Sequence, residues 1–215
     1  MPIPTVDDRR ARRRARVLDL LAETAVQLFD SYGYDAVTME QIAAEADVSK
    51  GTLYNHFPTK ESVLAHWIHA QLEADLARLK PKIEREAGFV SAISLLLNAS
   101  AAWCAKHREY LSPYLRFRFL SFETPPGEEG DALPGDIVDG FALLIAKGQH
   151  AGELRDDVDP AHLALLFHHL YLGALMRWLT TPGVNLRKEF ALVVKLFVEG
   201  VARSSAPVST RRRQS

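Results

Sequence analysis

Cysteine is almost missing from this 215-residue chain: Cys104 stands alone, so no intrachain disulfide is possible. A reducing, cytoplasmic setting is therefore expected. Its neighbours Trp103 and Ala105 place it in an apolar stretch, which reads as a buried, inert thiol rather than a redox sensor. Long apolar runs are missing too. The greasiest segment, 163–178, is broken by His168, His169 and Arg177, which makes it a poor membrane span and a good buried helix. The first residues lack the charged-then-apolar pattern of a signal peptide. There is no glycine-rich phosphate loop, no G-x-S-x-G elbow, no paired metal–carboxylate motif and no base beside Cys104. No motif points to an enzyme or a cofactor, and neither is expected. Strand-like alternation and internal repeats are likewise absent.

Charge of one sign is scarce overall, with a formal net charge of −1, but it is unevenly spread. Residues 1–16 carry six arginines against Asp7 and Asp8, and residues 201–215 carry four arginines and no acid. The body between them is acidic. Basic ends on an acidic body suit a protein that meets nucleic acid with part of its surface. Two readings of the N-terminal arginines stand side by side: contact with DNA phosphates or the minor groove, or a solvated terminus.

What is present is helix. Apolar spacing predicts a first helix from about Arg10 to Tyr32, with Leu21, Ala25, Leu28 and Phe29 on one face and Gly33 ending it. A fourth helix starts after Thr59 and runs to near Pro81. Others are expected at about 87–107, 108–120, 134–151, 160–181 and 186–204, with one substantial loop at 123–134.

Between the first and fourth helices lies the most informative stretch, TMEQIAAEADVSKGTLYNHFPTK, residues 38–60. Thr38 and Gln41 form a capping-box pattern, and Ile42, Ala43 and Ala46 give a small apolar face. Asp47-Val48 makes a turn at which Asp tolerates a left-handed backbone. Ser49 caps a second short helix from Lys50 to about Phe57, anchored inward by Leu53 and Phe57. This is a helix-turn-helix pattern, whose second helix is expected in the DNA major groove. Pro58 stops that helix, and Thr59 caps the next with Lys60 in its first turn.

The run from Thr38 through Glu61, with Leu21-Ala22, Ala25, Leu28-Phe29 and Tyr32-Gly33-Tyr34 upstream, resembles the DNA-binding signature of the TetR family of bacterial repressors. Asp47 departs from it, glycine being frequent there. The resemblance covers roughly residues 16–66. It implies that Lys50, Gly51 and Thr52 face bases, and that Thr38, Ser49, Tyr54, His56 and Lys60 touch phosphates. It further implies an all-α chain: a three-helix DNA-binding domain followed by a helical effector-binding and dimerisation bundle. On this reading residues 1–16 are a basic arm, 17–62 the helix-turn-helix domain, 63–204 the effector and dimer domain, and 205–215 a disordered basic tail.

The last two predicted helices are apolar most of the way round, which calls for burial on two faces. A symmetric homodimer through them is expected, with Gly173-Ala174 allowing close approach, so that two heads bind a pseudo-palindromic operator. Trp103, His107, Tyr110, Tyr114, Phe141, Phe167, His168 and Tyr171 suggest an aromatic-lined pocket for a small apolar or amphipathic effector, or simply a packed core. His66 with His69, and His162 with His169, raise a metal-responsive regulator as an alternative, although no carboxylate or Cys pair supports them and no metal is expected. An architectural DNA binder without effector is the other alternative.

Overall fold

A computed structural model describes residues 6–120 and 137–201, so the expected 123–134 loop and the 205–215 tail lie outside the described residues. The described chain is all helical: α1 (Val6–Tyr32), α2 (Met39–Glu45), α3 (Lys50–His56), α4 (Lys60–Ile83), α5 (Phe89–Lys106), α6 (Arg108–Leu120), α7 (Ile137–His150), α8 (Pro160–Thr180) and α9 (Leu186–Val201). Two departures from the predicted ends have physical causes. α1 begins at Val6 rather than near Arg10, because its early turns are rich in Arg and Ala, both strong helix formers. α4 passes through Pro81 to Ile83. At that point only the Pro81 N–H is lost, and the Glu84 N–H closes the helix end on the Lys80 carbonyl at 2.9 Å.

The chain forms two compact units, residues 1–75 with 106–135, and residues 76–105 with 136–215. The core of the first is supplied by Leu21, Ala25 and Phe29 of α1, Ile42 of α2, Leu53 of α3, and Val63, Leu64 and Ile68 of α4, all fully or nearly buried. Each large apolar side chain so buried contributes about 1.5–3 kcal/mol. α6 closes this unit. Its Tyr110 is 1% exposed and donates a hydrogen bond to the Asp30 carboxylate of α1. The Tyr110 ring also lies 6.0 Å from that of Trp67 in α4.

In the second unit α8 packs between α7 and α9. Asp159 caps α8 by accepting the Ala161 and His162 N–H groups, and Pro160 occupies its first turn, where no N–H is needed. The interior is aromatic: Phe141 meets Phe167 edge-on at 4.8 Å, Phe167 meets Phe197 at 4.9 Å, and Tyr171 stacks on Phe190 at 4.9 Å. Gly148 lets α7 pass close to its neighbours, since a Cβ there would meet Leu154 at 3.0 Å and Phe89 at 3.3 Å and both would have to give slightly.

Candidate nucleic-acid interface

The helix-turn-helix is held by its caps. Thr38 Oγ1 accepts the Gln41 N–H at 3.3 Å, while Gln41 Oε1 accepts the Thr38 N–H at 2.8 Å, closing the capping box. Asp47 takes the left-handed backbone that the turn requires, at φ 51°. Ser49 Oγ then accepts the Thr52 N–H at 3.1 Å. Caps of this kind are worth about 1 kcal/mol each. Leu53 and Phe57, buried to 0% and 5% exposure, fix which way α3 faces.

That anchoring turns the opposite face of α3 outward. Lys50 and Gly51 are exposed at its N-terminus, with Thr52 half-buried behind them. The Lys50 ammonium has one ionic neighbour, Glu40 at 3.5 Å, and both side chains stand well in solvent. A Cβ built on Gly51 would meet only Ser49 Oγ, at 3.8 Å, so backbone here is open to close approach. Tyr54 is 45% exposed on the same helix. His56 is half-buried, and its Nδ1 is enclosed without a hydrogen-bond partner among the described residues. Thr38 and Ser49 are exposed at the two helix starts.

Lys60 has a different setting. Its Nζ donates to the Tyr34 and Val37 carbonyls at 2.6 and 2.9 Å and lies 4.3 Å from the centre of the Tyr34 ring. The ammonium therefore ties the α1–α2 loop to the start of α4. Tyr34 Oη in turn donates to Glu61 Oε1 at 3.1 Å. Burial, followed by the nearby Glu61 charge, pushes the Tyr34 hydroxyl well above the usual phenol range.

The candidate aromatic residues fall in both units. His107, Tyr110 and Tyr114 belong to the first unit: the His107 ring meets Trp67 at 5.2 Å, and Tyr114 Oη bonds His69 Nε2 at 2.8 Å. Phe141, Phe167 and Tyr171 are buried in the second unit, with His168 stacked 6.0 Å from Tyr171. Tyr171 Oη pairs with Ser100 Oγ at 2.9 Å, and Cys104 lies beside them, its thiol pushed by burial to a pKa of about 11. Trp103 is half-buried on α5.

Sequence reasoning missed the cavity that the second unit does hold. It has a volume of about 560 Å³ and is lined by Leu76, Ile83, Leu96, Gly140, Leu143 and Leu144, with Lys80, Glu84, Asp139 and Lys147 adding charge. None of the eight proposed aromatic or histidine residues lines it. The one sequence cue was Gly140, a helix-weakening residue inside the apolar run of α7. As to metal, no group of three or more His, Cys, Asp or Glu among the described residues is placed to hold an ion. His66 instead bonds Asp19 at 2.8 Å, and His69 bonds Tyr114.

The sequence model described as "Bacterial regulatory proteins, tetR family" matches residues 21–66, the span of this capped and anchored motif. Residues 21–66 are a TetR-family DNA-binding region. Among TetR-family relatives, the HTH-type transcriptional repressor KstR of Mycobacterium tuberculosis is 26% identical over 191 residues, 86% of this chain and 80% of its own length. The regulator TcmR of Streptomyces glaucescens is 41% identical over 71 residues, which cover 33% of this chain and 31% of TcmR. In structure, the TetR-family repressor FadR of Thermus thermophilus, solved in complex with lauroyl-CoA, is similar with a TM-score of 0.71 and 26% identity. That match covers 88% of this chain and 98% of the Thermus chain. The chain is thus a DNA-binding transcriptional regulator, like relatives that carry out regulation rather than catalysis.

Proposed function

We propose that this TetR-family chain is a repressor that binds a pseudo-palindromic operator as a homodimer and leaves it when a small effector occupies the C-terminal bundle. The observation that carries the DNA reading is the N-terminus of α3 behind the Ser49 cap, where Lys50 and Gly51 are exposed and Thr52 is half-buried. On this reading those three residues face base edges, and Thr38, Ser49, Tyr54 and His56 lie along phosphates. Lys60 takes part through the loop it holds, and any phosphate contact is additional to that bond.

Dimerisation is supported by apolar surface left over on α8 and α9. Leu165, Leu166, Leu170 and Met176 on α8 are 41–48% exposed, and Leu192 and Leu196 on α9 are 47% and 56% exposed. A second copy of the same face is the self-complementary partner that two-fold symmetry supplies. Gly173 is exposed on this face, and a Cβ there would meet nothing within 4 Å in the single chain, which leaves room for a neighbouring helix.

The effector reading rests on the apolar cavity of the second unit. Its apolar walls with a few charged groups suit a ligand with a hydrocarbon body and a polar end. The lauroyl-CoA held by the Thermus relative is a ligand of that kind. Release from DNA requires the effector to bind one conformation of the regulator better than the other. The experiment is selection of bound sequences from a random duplex pool by the purified protein in the absence of added ligand. Enrichment of an inverted repeat is the expected result. Salt-sensitive binding to every sequence without enrichment would instead make the chain an architectural DNA binder.

A further inference from the structure

The arginines at the start of α1 are part of a continuous helix, and this changes what they can do. α1 is helical from Val6, whereas Leu21 is the first of its described residues to be buried. About 22 Å of helix, at 1.5 Å per residue, therefore precedes the head's core. Arg13, Arg14 and Arg16 are exposed there and make no ion pair or hydrogen bond among the described residues. Arg13 and Arg16, three positions apart, share one stripe of the helix, with Arg14 on the adjoining side.

The location of this stripe follows from α3. Asp19, one turn beyond Arg16, accepts the His66 Nε2–H at 2.8 Å through its Oδ1. The His66 ring meets Phe57, the C-cap of α3, edge-on at 5.4 Å. His66 thus links Asp19, one turn from Arg16, to the C-terminal end of the helix proposed to lie in the major groove. A duplex presents one phosphate per ~3.4 Å along each strand, so the ~4.5 Å rise from Arg13 to Arg16 sets these guanidinium groups opposite one to two phosphates of a strand.

We propose that the exposed arginines of α1, Arg13, Arg14 and Arg16, form a second DNA-binding surface that pairs with the phosphates of the duplex flanking the half-site read by α3. It rests on the DNA-binding reading above. It adds affinity and salt dependence without adding base preference, because phosphates carry no sequence information.

The test uses the full chain and the operator found by selection, in two forms: trimmed to the selected bases, and extended on each side by about one helical turn, ~10 bp, of unrelated sequence. Wild type and the R13A/R14A/R16A variant are titrated onto both across a salt series. Alanine preserves helix propensity, and far-UV circular dichroism checks that α1 persists. The wild type is expected to bind the extended duplex more tightly and with a steeper log–log salt slope. The variant loses roughly 0.9–1.8 from that slope per head, at ~0.9 per phosphate, and little on the trimmed duplex. The R13K/R14K/R16K variant retains the slope. Equal slopes for wild type and alanine variant on the extended duplex would overturn the proposal while leaving the α3 reading intact. Failure of the wild type to bind either duplex would overturn the DNA reading itself.

Discussion

The Lys60 ammonium bridges two carbonyls of one loop, Tyr34 at 2.6 Å and Val37 at 2.9 Å, while lying 4.3 Å from the Tyr34 ring centre. A lysine expected at the DNA surface thereby has a fixed role inside the head. Lys60→Ala is expected to destabilise the DNA-free protein by about 1–3 kcal/mol, as charged hydrogen bonds to part-buried carbonyls are lost. Urea denaturation without DNA measures it. An unchanged midpoint would mean that Lys60 acts only at phosphates.

Lys50 is the contrasting case. It is exposed, with Glu40 as its ionic neighbour at 3.5 Å, so Lys50→Ala should leave stability within about 0.5 kcal/mol. Its effect should appear as a loss of about 1–3 kcal/mol on the operator and a blurred sequence preference. The ratio of operator to random-DNA affinity decides the matter. A ratio equal to that of the wild type removes Lys50 from base reading.

Leu196 is 56% exposed on α9, beside the apolar surface of α8. Leu196→Asp costs little in a single chain, where the side chain faces water, and places two carboxylates together in a symmetric dimer. Sedimentation of the variant at micromolar concentration is expected to show monomer while the wild type shows dimer. If both sediment as the same species, α9 is not in the interface.

At Gly140 an added Cβ would make ordinary contacts, 3.5 Å to Leu76 Cδ2 and 3.9 Å to Leu96 Cδ2. Gly140→Ala should therefore raise stability by about 0.5–1 kcal/mol through helix propensity. The same methyl narrows the cavity and should weaken any effector seated in it. Thermal melts with and without a long-chain acyl ligand check both halves of this expectation.

His107 is expected to report on acidification. Burial, followed by the nearby Lys106 charge, holds its pKa below the ordinary 6.5, so the folded head favours the neutral ring. The folded state then binds fewer protons than the unfolded chain, and this contribution to stability, present above 6.5, is lost as pH falls through the folded pKa. An NMR titration should give a His107 midpoint below 6.5. A midpoint at or above that value would contradict the setting assigned to it.

The DNA-binding head was legible in sequence because its determinants are local. Caps at Thr38 and Ser49, the turn at Asp47 and the inward pair Leu53 and Phe57 all act within a few residues, and each occupies its predicted place. Helix number and type were legible for the same reason. Lys60 was less so: sequence put it in the first turn of α4 but held no sign that its ammonium would reach back to the loop before α2. The aromatic residues were the least legible, because helical spacing says that a ring is buried and says nothing of which neighbours bury it.

Sequence by itself determined an all-helical chain with a helix-turn-helix head, since 3.6-residue periodicity, cap chemistry and turn residues are properties of adjacent positions. Tertiary structure alone decided that α6 joins the head through Tyr110 and Asp30, and that the second unit's cavity lies along Leu76, Leu96 and Gly140. Those outcomes depend on which helices meet and where side chains fail to fill the space between them. That is set by packing among residues far apart in the chain, a relation that no local pattern encodes.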